Sequence, residues 1–257
     1  MNPAVGAEAP FLKRIVMLPE RVKAGEFPFN LPILRNGLDL PIDSYVTFLA
    51  GQNGSGKSTL LEAVADKCGF NLAGGSRNHN YNRHPTESQL APAIRLWWRK
   101  KITRGFFLRA ESFFNFSTHI DDLDRENPAD NALAPYGGKS LHEQSHGESF
   151  LEIAGNYFTY FREAIYLLDE PEAAMSPARQ LLFLKLIHEL ASARRAQFLI
   201  ATHSPILLAL PGADLLWLDD SGIRRISYEE TEHFTLMRDF MRDPRKYVEA
   251  VLSADKA

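Results

Sequence analysis

From Tyr45 onward, short apolar runs alternate along the chain with longer stretches of helical pattern. An apolar run too short for a helix and bounded by turn residues reads as a buried strand. Strands separated by helices build a mostly parallel sheet covered by those helices. The pattern predicts strands at Leu12–Leu18, Tyr45–Ala50, Gly105–Ala110, Ala164–Leu168, Ala196–Thr202 and Leu215–Asp219, each rich in Val, Ile, Leu or aromatic residues. Helices are expected after Gly56, from Glu148 to Phe161 and from Pro177 to Arg194. The last opens with Ser176-Pro177, a capping residue followed by proline at the first helical position. The predicted fold class is α/β.

Between Cys68 and Gln144 the alternation breaks up: Gly, Asn, His and Pro cluster at 69–85, and an acidic, loop-like stretch runs from Asp121 to Asp130. This predicts a lobe at 69–144, helical in part, inserted into one domain that covers 1–257. Within it, Arg95, Arg99, Lys100, Lys101, Arg104 and Arg109 occur with no acidic residue among them, beside Trp97 and Trp98. Such a run reads as a solvated helix face with Trp in the core or as a docking surface for a protein. It could also meet a nucleic-acid backbone and stack bases. No internal repeat or low-complexity tract is visible.

Composition narrows the classes. The chain has 257 residues, 45% of them hydrophobic, so it can bury a sizeable core, and disordered or fibrous classes are excluded. Its 29 basic and 32 acidic residues give a net charge of −3, which argues against a protein coated in positive charge, so a polyanion would need a local patch. With Cys68 the single cysteine, an intrachain disulfide and a cysteine-built zinc site are both excluded. Met1–Pro10 lacks the pattern of an export signal. The longest uncharged stretch, Ala196–Ala213, holds Gln197, His203, Pro205, Pro211 and Gly212, which a span of about 20 apolar residues rarely tolerates together. A cytoplasmic chain that does not itself span a membrane is expected.

The strongest chemical signal is Gly51-Gln52-Asn53-Gly54-Ser55-Gly56-Lys57-Ser58-Thr59, which fits G-x-x-x-x-G-K-[ST] and follows an apolar strand. A loop so rich in glycine can turn successive backbone N–H groups inward, and the helix starting near Lys57 adds its positive dipole end to the same anion site. Lys57 is then expected to reach the β- and γ-phosphates, and the Ser58 hydroxyl to ligate Mg²⁺. A second element, Ala164-Ile165-Tyr166-Leu167-Leu168-Asp169-Glu170, ends an apolar strand in two carboxylates. Asp169 is expected to contact Mg²⁺, directly or through water, and Glu170 to act as general base for the attacking water.

With these motifs the chain resembles ABC-type P-loop ATPases, in particular those of the soluble RecF and OLD groups. Four further segments carry the resemblance. Ser145-His146-Gly147-Glu148-Ser149 resembles the ABC signature, and Ala173–Pro177 occupies the place of the D-loop. Ala201-Thr202-His203-Ser204-Pro205 resembles the switch-histidine motif, and Gly105–Glu111 ends where the family has its Q-loop. The resemblance implies ATP and Mg²⁺ as ligands and an ATP-dependent head-to-tail homodimer. Ser145 and Gly147 of one copy would then contact the nucleotide of the other, while His203 would donate to the γ-phosphate.

Departures from the family pattern are local. Gln144, His146 and Glu148 stand where the common signature has Leu, Gly and Gln. Glu111 takes the place of a Q-loop glutamine, and Phe27 and Phe29 are either adenine contacts or core residues. His79, His84, His142 and His146 fit no zinc spacing and read as solvated loop histidines. The stretch between Lys57 and Ser145 is too short for the long antiparallel coiled coil of SMC-type proteins. The leading expectation is an ATP-driven dimerisation switch acting on a partner protein or nucleic acid; the alternative is the nucleotide-binding subunit of an ABC transporter. The Asp-Glu-Pro-Glu and Thr-His-Ser-Pro forms favour the former. A third reading, a regulatory binder that does not hydrolyse, is opposed by the intact Lys57, Ser58, Asp169, Glu170 and His203.

Overall fold

The uncharged apolar runs become strands with no exposed residue. A computed structural model of the chain describes residues 10–72, 88–109, 113–126, 133–134, 138, 151, 155–156, 158–159 and 161–254. Its strands are β1 (Leu12–Met17), β2 (Asp39–Pro41), β3 (Val46–Gly51), β4 (Ile94–Trp98), β5 (Gly105–Arg109), β6 (Ala164–Asp169), β7 (Ala196–Ala201), β8 (Asp214–Asp219) and β9 (Gly222–Arg225). The helices are α1 (Lys57–Cys68), α2 (Phe113–Glu126), α3 (Pro177–Ser192), α4 (Pro205–Leu208), α5 (Glu232–Arg242) and α6 (Pro244–Ala254).

The main sheet has the order β5-β6-β7-β3-β8-β9, parallel through β8, with β9 antiparallel at the edge. Every residue of β3, β6 and β7 is buried, as a central parallel sheet covered on both faces requires. The apolar residues of α1 pack on β6 and β7, while α3 turns Phe183, Ile187, Leu190 and Ala191 inward at helical spacing. An aromatic cluster of Phe106, Phe158, Tyr166, Phe183 and Phe198 fills the core beside β6, with the Phe158 and Tyr166 rings 4.2 Å apart. A second, antiparallel sheet has the order β2-β1-β4. It is tied to the first through Gln197 on β7. This fully buried amide accepts from Leu12 N–H at 2.7 Å and donates to Leu12 C=O at 2.9 Å.

All six expected strands form, with ends moved by a few residues. β2, β4 and β9 were not expected; β2 and β9 are too short to carry a pattern of their own. The basic run is not a helix face. Ile94, Leu96 and Trp98 alternate in burial with Arg95 and Trp97, the period of two that makes β4, and Trp97 stays 55% exposed while Trp98 is half-buried. Its charges are dispersed: Lys100 pairs with Glu163 at 2.5 Å, Arg104 lies over the Phe161 ring, and Arg109 turns into the site described below. Within the span 69–144, β4 and β5 join the two sheets. Ser176 precedes α3 without a side-chain cap bond, its carbonyl accepting from Gln180 N–H instead. Of the described residues of 148–161, residues 151, 155, 156, 158 and 159 are helical and Phe161 is not. Phe29 is buried in the core and Phe27 is exposed.

Gly51, the last residue of β3, lies at φ +142°, and a Cβ there would stand 2.0 Å from the Leu218 carbonyl oxygen on β8. Gly51→Ala is therefore expected to destabilise the fold by about 3 kcal/mol or more in urea denaturation, because a sheet carbonyl must move. Gly54→Ala, at φ +76° with nothing within 4 Å, should cost only about 1–2 kcal/mol.

Candidate active site

Because β5, β6, β7 and β3 run parallel, their carboxyl ends lie on one edge, where open α/β sheets bind ligands. In strand order that edge carries Arg109, then Asp169 and Glu170, then Thr202 and His203, then the loop 51–56. Residues Lys57, Asp169 and His203, far apart in the chain, are thereby brought together.

The loop turns at Gly54 and at Gly56, which precedes α1 at φ 98°, ψ 10° and offers no side chain to cap the helix. Asn53 and Gly54 are exposed, Ser55 and Gly56 buried, and Lys57, Ser58 and Thr59 form the first turn of α1. Lys57 is 5% exposed, and its Nζ donates to the carbonyls of Gly51 at 3.0 Å and Gln52 at 2.8 Å. Burial pulls its pKa below the usual lysine value, against the attraction of Glu170, Asp169 and Glu172. The Ser55 hydroxyl is buried with no hydrogen-bond partner among the described residues.

Asp169 is 5% exposed. Its Oδ1 accepts from Ser58 Oγ at 3.0 Å, and its Oδ2 lies 3.3 Å from Arg109 Nε. Burial raises its pKa from 3.8 to about 6, although Arg109 and Ser58 both favour the charged form. Arg109 also reaches Glu62 on α1 at 2.6 Å, so one guanidinium bridges two carboxylates. Its site role was missed because the sequence presents it as the last member of a basic run.

Glu170 is exposed and adopts φ 51°, ψ 50°, a left-handed conformation unusual for a side-chain-bearing residue and here directly before Pro171. Its N–H donates to Ala201 C=O at 2.9 Å, extending the ladder beyond β6. Its Oε1 lies 3.8 Å from His203 Nε2. Burial, then Lys57, lowers the pKa of His203, which leaves the ring neutral near pH 7. Glu172, which the sequence reading left without a role, accepts from His203 N–H at 2.7 Å, and burial raises its pKa. His203 Nδ1 stands 3.1 Å from Nε2 of His233, another residue that the sequence left unmarked. The signature segment Ser145–Ser149, with Ser145 and Gly147, lies outside the described residues, as do Glu111, His79, His84, His142 and His146.

Residues 132–209 match the family described as "AAA domain, putative AbiEii toxin, Type IV TA system". The chain is 27% identical over 227 residues to the tungstate uptake system ATP-binding protein TupC of Campylobacter jejuni, covering 79% of this chain and 67% of that protein. It is also 27% identical over 227 residues to the thiamine import ATP-binding protein ThiQ of Rhizobium meliloti, covering 85% and 92%. The fold is that of the Smc head bound to the C-winged helix domain of ScpA, with a TM-score of 0.50 at 15% identity over 86% of this chain and 99% of that one. The chain is an ABC-type P-loop ATPase.

No helix among the described residues of the ATPase is long and apolar enough to cross a membrane. Its buried carboxylate makes stability depend on pH. A carboxyl group whose folded pKa of about 6 exceeds its usual 3.8 contributes stability that is full below about pH 4 and is lost as pH rises through about 6. Without a bound cation, Asp169→Asn should therefore be the more stable protein at pH 8, by on the order of 2–3 kcal/mol. Its melting temperature should rise by roughly 5 °C. The advantage should vanish near pH 4, and equal melting at pH 8 would contradict a desolvated carboxylate.

Proposed function

We propose that this ATPase is an ATP-driven dimerisation switch of the cytoplasm, in which two copies close head to tail on two nucleotides and the cycle acts on a partner protein or nucleic acid. The observation that carries the reading is the pair of consecutive carboxylates in opposite environments. Asp169 is buried against Ser58, whereas Glu170 is turned outward by its left-handed backbone to face His203. One suits a cation and the other a water molecule.

The residues present fit a magnesium nucleotide. The unpartnered Ser55 hydroxyl and the uncapped start of α1 suit phosphate oxygens, and Ser58 with Asp169 offers the hard oxygen donors that Mg²⁺ takes. Gly51, Asn53, Gly54, Ser55, Gly56, Lys57, Ser58 and Thr59 would hold the phosphates, with Lys57 exchanging its two loop carbonyls for phosphate oxygens. Bound Mg²⁺ supplies charge neutralisation of the transferring phosphoryl group. Glu170 accepts the proton of the attacking water. His203 donates from Nε2 to the γ-phosphate and keeps Glu170 in line. Ser145 and Gly147 close the site from the second copy.

A second reading, the nucleotide-binding subunit of a transporter, is favoured by the names of the two uptake and import relatives. Purification of tagged Glu170→Gln protein with ATP and Mg²⁺ separates them: a co-purifying membrane protein supports the transporter reading, a soluble protein or nucleic acid the switch.

Lys57→Ala is expected to lose ATP binding in calorimetry. Glu170→Gln should bind ATP but hydrolyse it about 10²- to 10⁴-fold more slowly, since the amide cannot take the proton. In that hydrolysis-blocked background, ATP should give a dimer by light scattering, and adding Ser145→Arg should return it to monomer while ATP still binds. An equal dimer with Ser145→Arg would remove the signature segment from the interface.

A further inference from the structure

The geometry points to His233 as a positioning residue that donates to Nδ1 of His203 and holds that ring with its proton on Nε2, an inference resting on the assignment of His203 to the γ-phosphate contact. Two ring nitrogens, His203 Nδ1 and His233 Nε2, meet at 3.1 Å, so one must donate and the other accept. Burial lowers the pKa of both rings, and each is also disfavoured as a cation by Lys57. Two neutral arrangements are then available.

If His203 donated from Nδ1, its Nε2 would present a lone pair to the Glu170 carboxylate 3.8 Å away. The proton of His233 would then sit on Nδ1, which is buried and has no hydrogen-bond partner. If His233 donates from Nε2 instead, His203 carries its proton on Nε2, facing Glu170, and His233 Nδ1 is left as a bare acceptor. His203 Nε2 and His233 Nδ1 are both without a hydrogen-bond partner among the described residues, so either arrangement leaves one N–H and one lone pair unpaired, and the neighbouring charge decides. With the Glu170 carboxylate 3.8 Å from His203 Nε2, an N–H there is favourable where a lone pair is not. The second arrangement is therefore the native one, and it is the one that lets His203 act as a donor to phosphate.

The His233 ring is held from two sides. Thr231, fully buried, caps α5 by accepting from Phe234 N–H at 3.1 Å and donates to Tyr228 C=O at 2.7 Å, which fixes the first turn that carries His233. Trp217 on β8 meets the ring edge-on, with centroids 5.7 Å apart. The donor thus comes from a helix outside every motif of the ATPase, anchored to the strand beside β3.

The test uses the full chain with three substitutions. His233→Phe keeps a ring against Trp217 but has no donor, whereas His233→Gln puts an amide N–H near the place of Nε2. His233→Phe should lower kcat about tenfold with KM for magnesium ATP unchanged, and His233→Gln should recover most of the loss. Nitrogen-15 spectra of labelled histidines should show the His203 proton on Nε2 and Nδ1 accepting a hydrogen bond in the native protein and in His233→Gln, with the hydrogen-bond shift of Nδ1 lost in His233→Phe. Native kcat in His233→Phe, an Nδ1 proton on native His203, or equal losses in the Phe and Gln variants with unchanged spectra would each overturn the inference. His203→Gln separates the two levels. If it hydrolyses at the native rate, the γ-phosphate assignment fails, while the spectra of the native protein still report whether His233 donates to Nδ1.

Discussion

The buried carboxylate of Asp169 is the constraint on which the site depends. It ends β6 in a place that water scarcely reaches, and Ser58 from α1 and Arg109 from β5 converge on it. Neither partner suffices to hold it fully ionised, which is why its pKa stands near 6. A group that costs stability at neutral pH persists where the surrounding structure over-determines it. Here the surroundings are β3, β6 and β7, buried along their whole length and uncharged apart from Asp169 itself at the end of β6. Rigid apolar strands set the positions at which polar groups emerge, and the carboxyl edge is where all of them emerge together.

Beyond Asp169 the chain leaves the sheet under strain. Glu170 takes a left-handed backbone before a proline, and three hydrogen bonds hold it there: its N–H on Ala201, its carbonyl accepting from Ala173 N–H, and the Glu172 carboxylate accepting from His203 N–H. The last ties the strand-end motif directly to the histidine motif. It gives a physical reason for a carboxylate after Asp-Glu-Pro: Glu172 can reach the backbone where the chain leaves β7. Ser204 continues the network, capping α4 and donating to Gln180 of α3 at 2.5 Å. The segment between Glu170 and α3, where the family places its D-loop, is thus fixed at both ends by the residues around His203.

A buried amide ties the two sheets together. Gln197 interrupts an otherwise apolar strand, and its side chain supplies the backbone partners that Leu12 would lack in a dry interface. An apolar residue there would leave a buried N–H and C=O unpaired, so the polar residue is the one compatible with burial.

What the sequence by itself determined was local: the strand-loop-helix around Lys57, the apolar runs that can only be buried strands, and the carboxylate pair at the end of one of them. Each is legible because a few adjacent residues dictate it, through glycine conformations, strand-length apolar stretches and chain-end chemistry. Only the tertiary structure decided the strand order that puts β7 between β6 and β3, and hence His203 between Glu170 and the loop. It likewise turned Arg109 from a member of a basic run into the partner of Asp169, and made β4 a strand where charge density suggested a helix face. His233 carried no signal at all, standing on a polar-looking helix 30 residues beyond His203. Its role exists only because α5 folds back against Trp217, a contact between distant segments that no local pattern encodes.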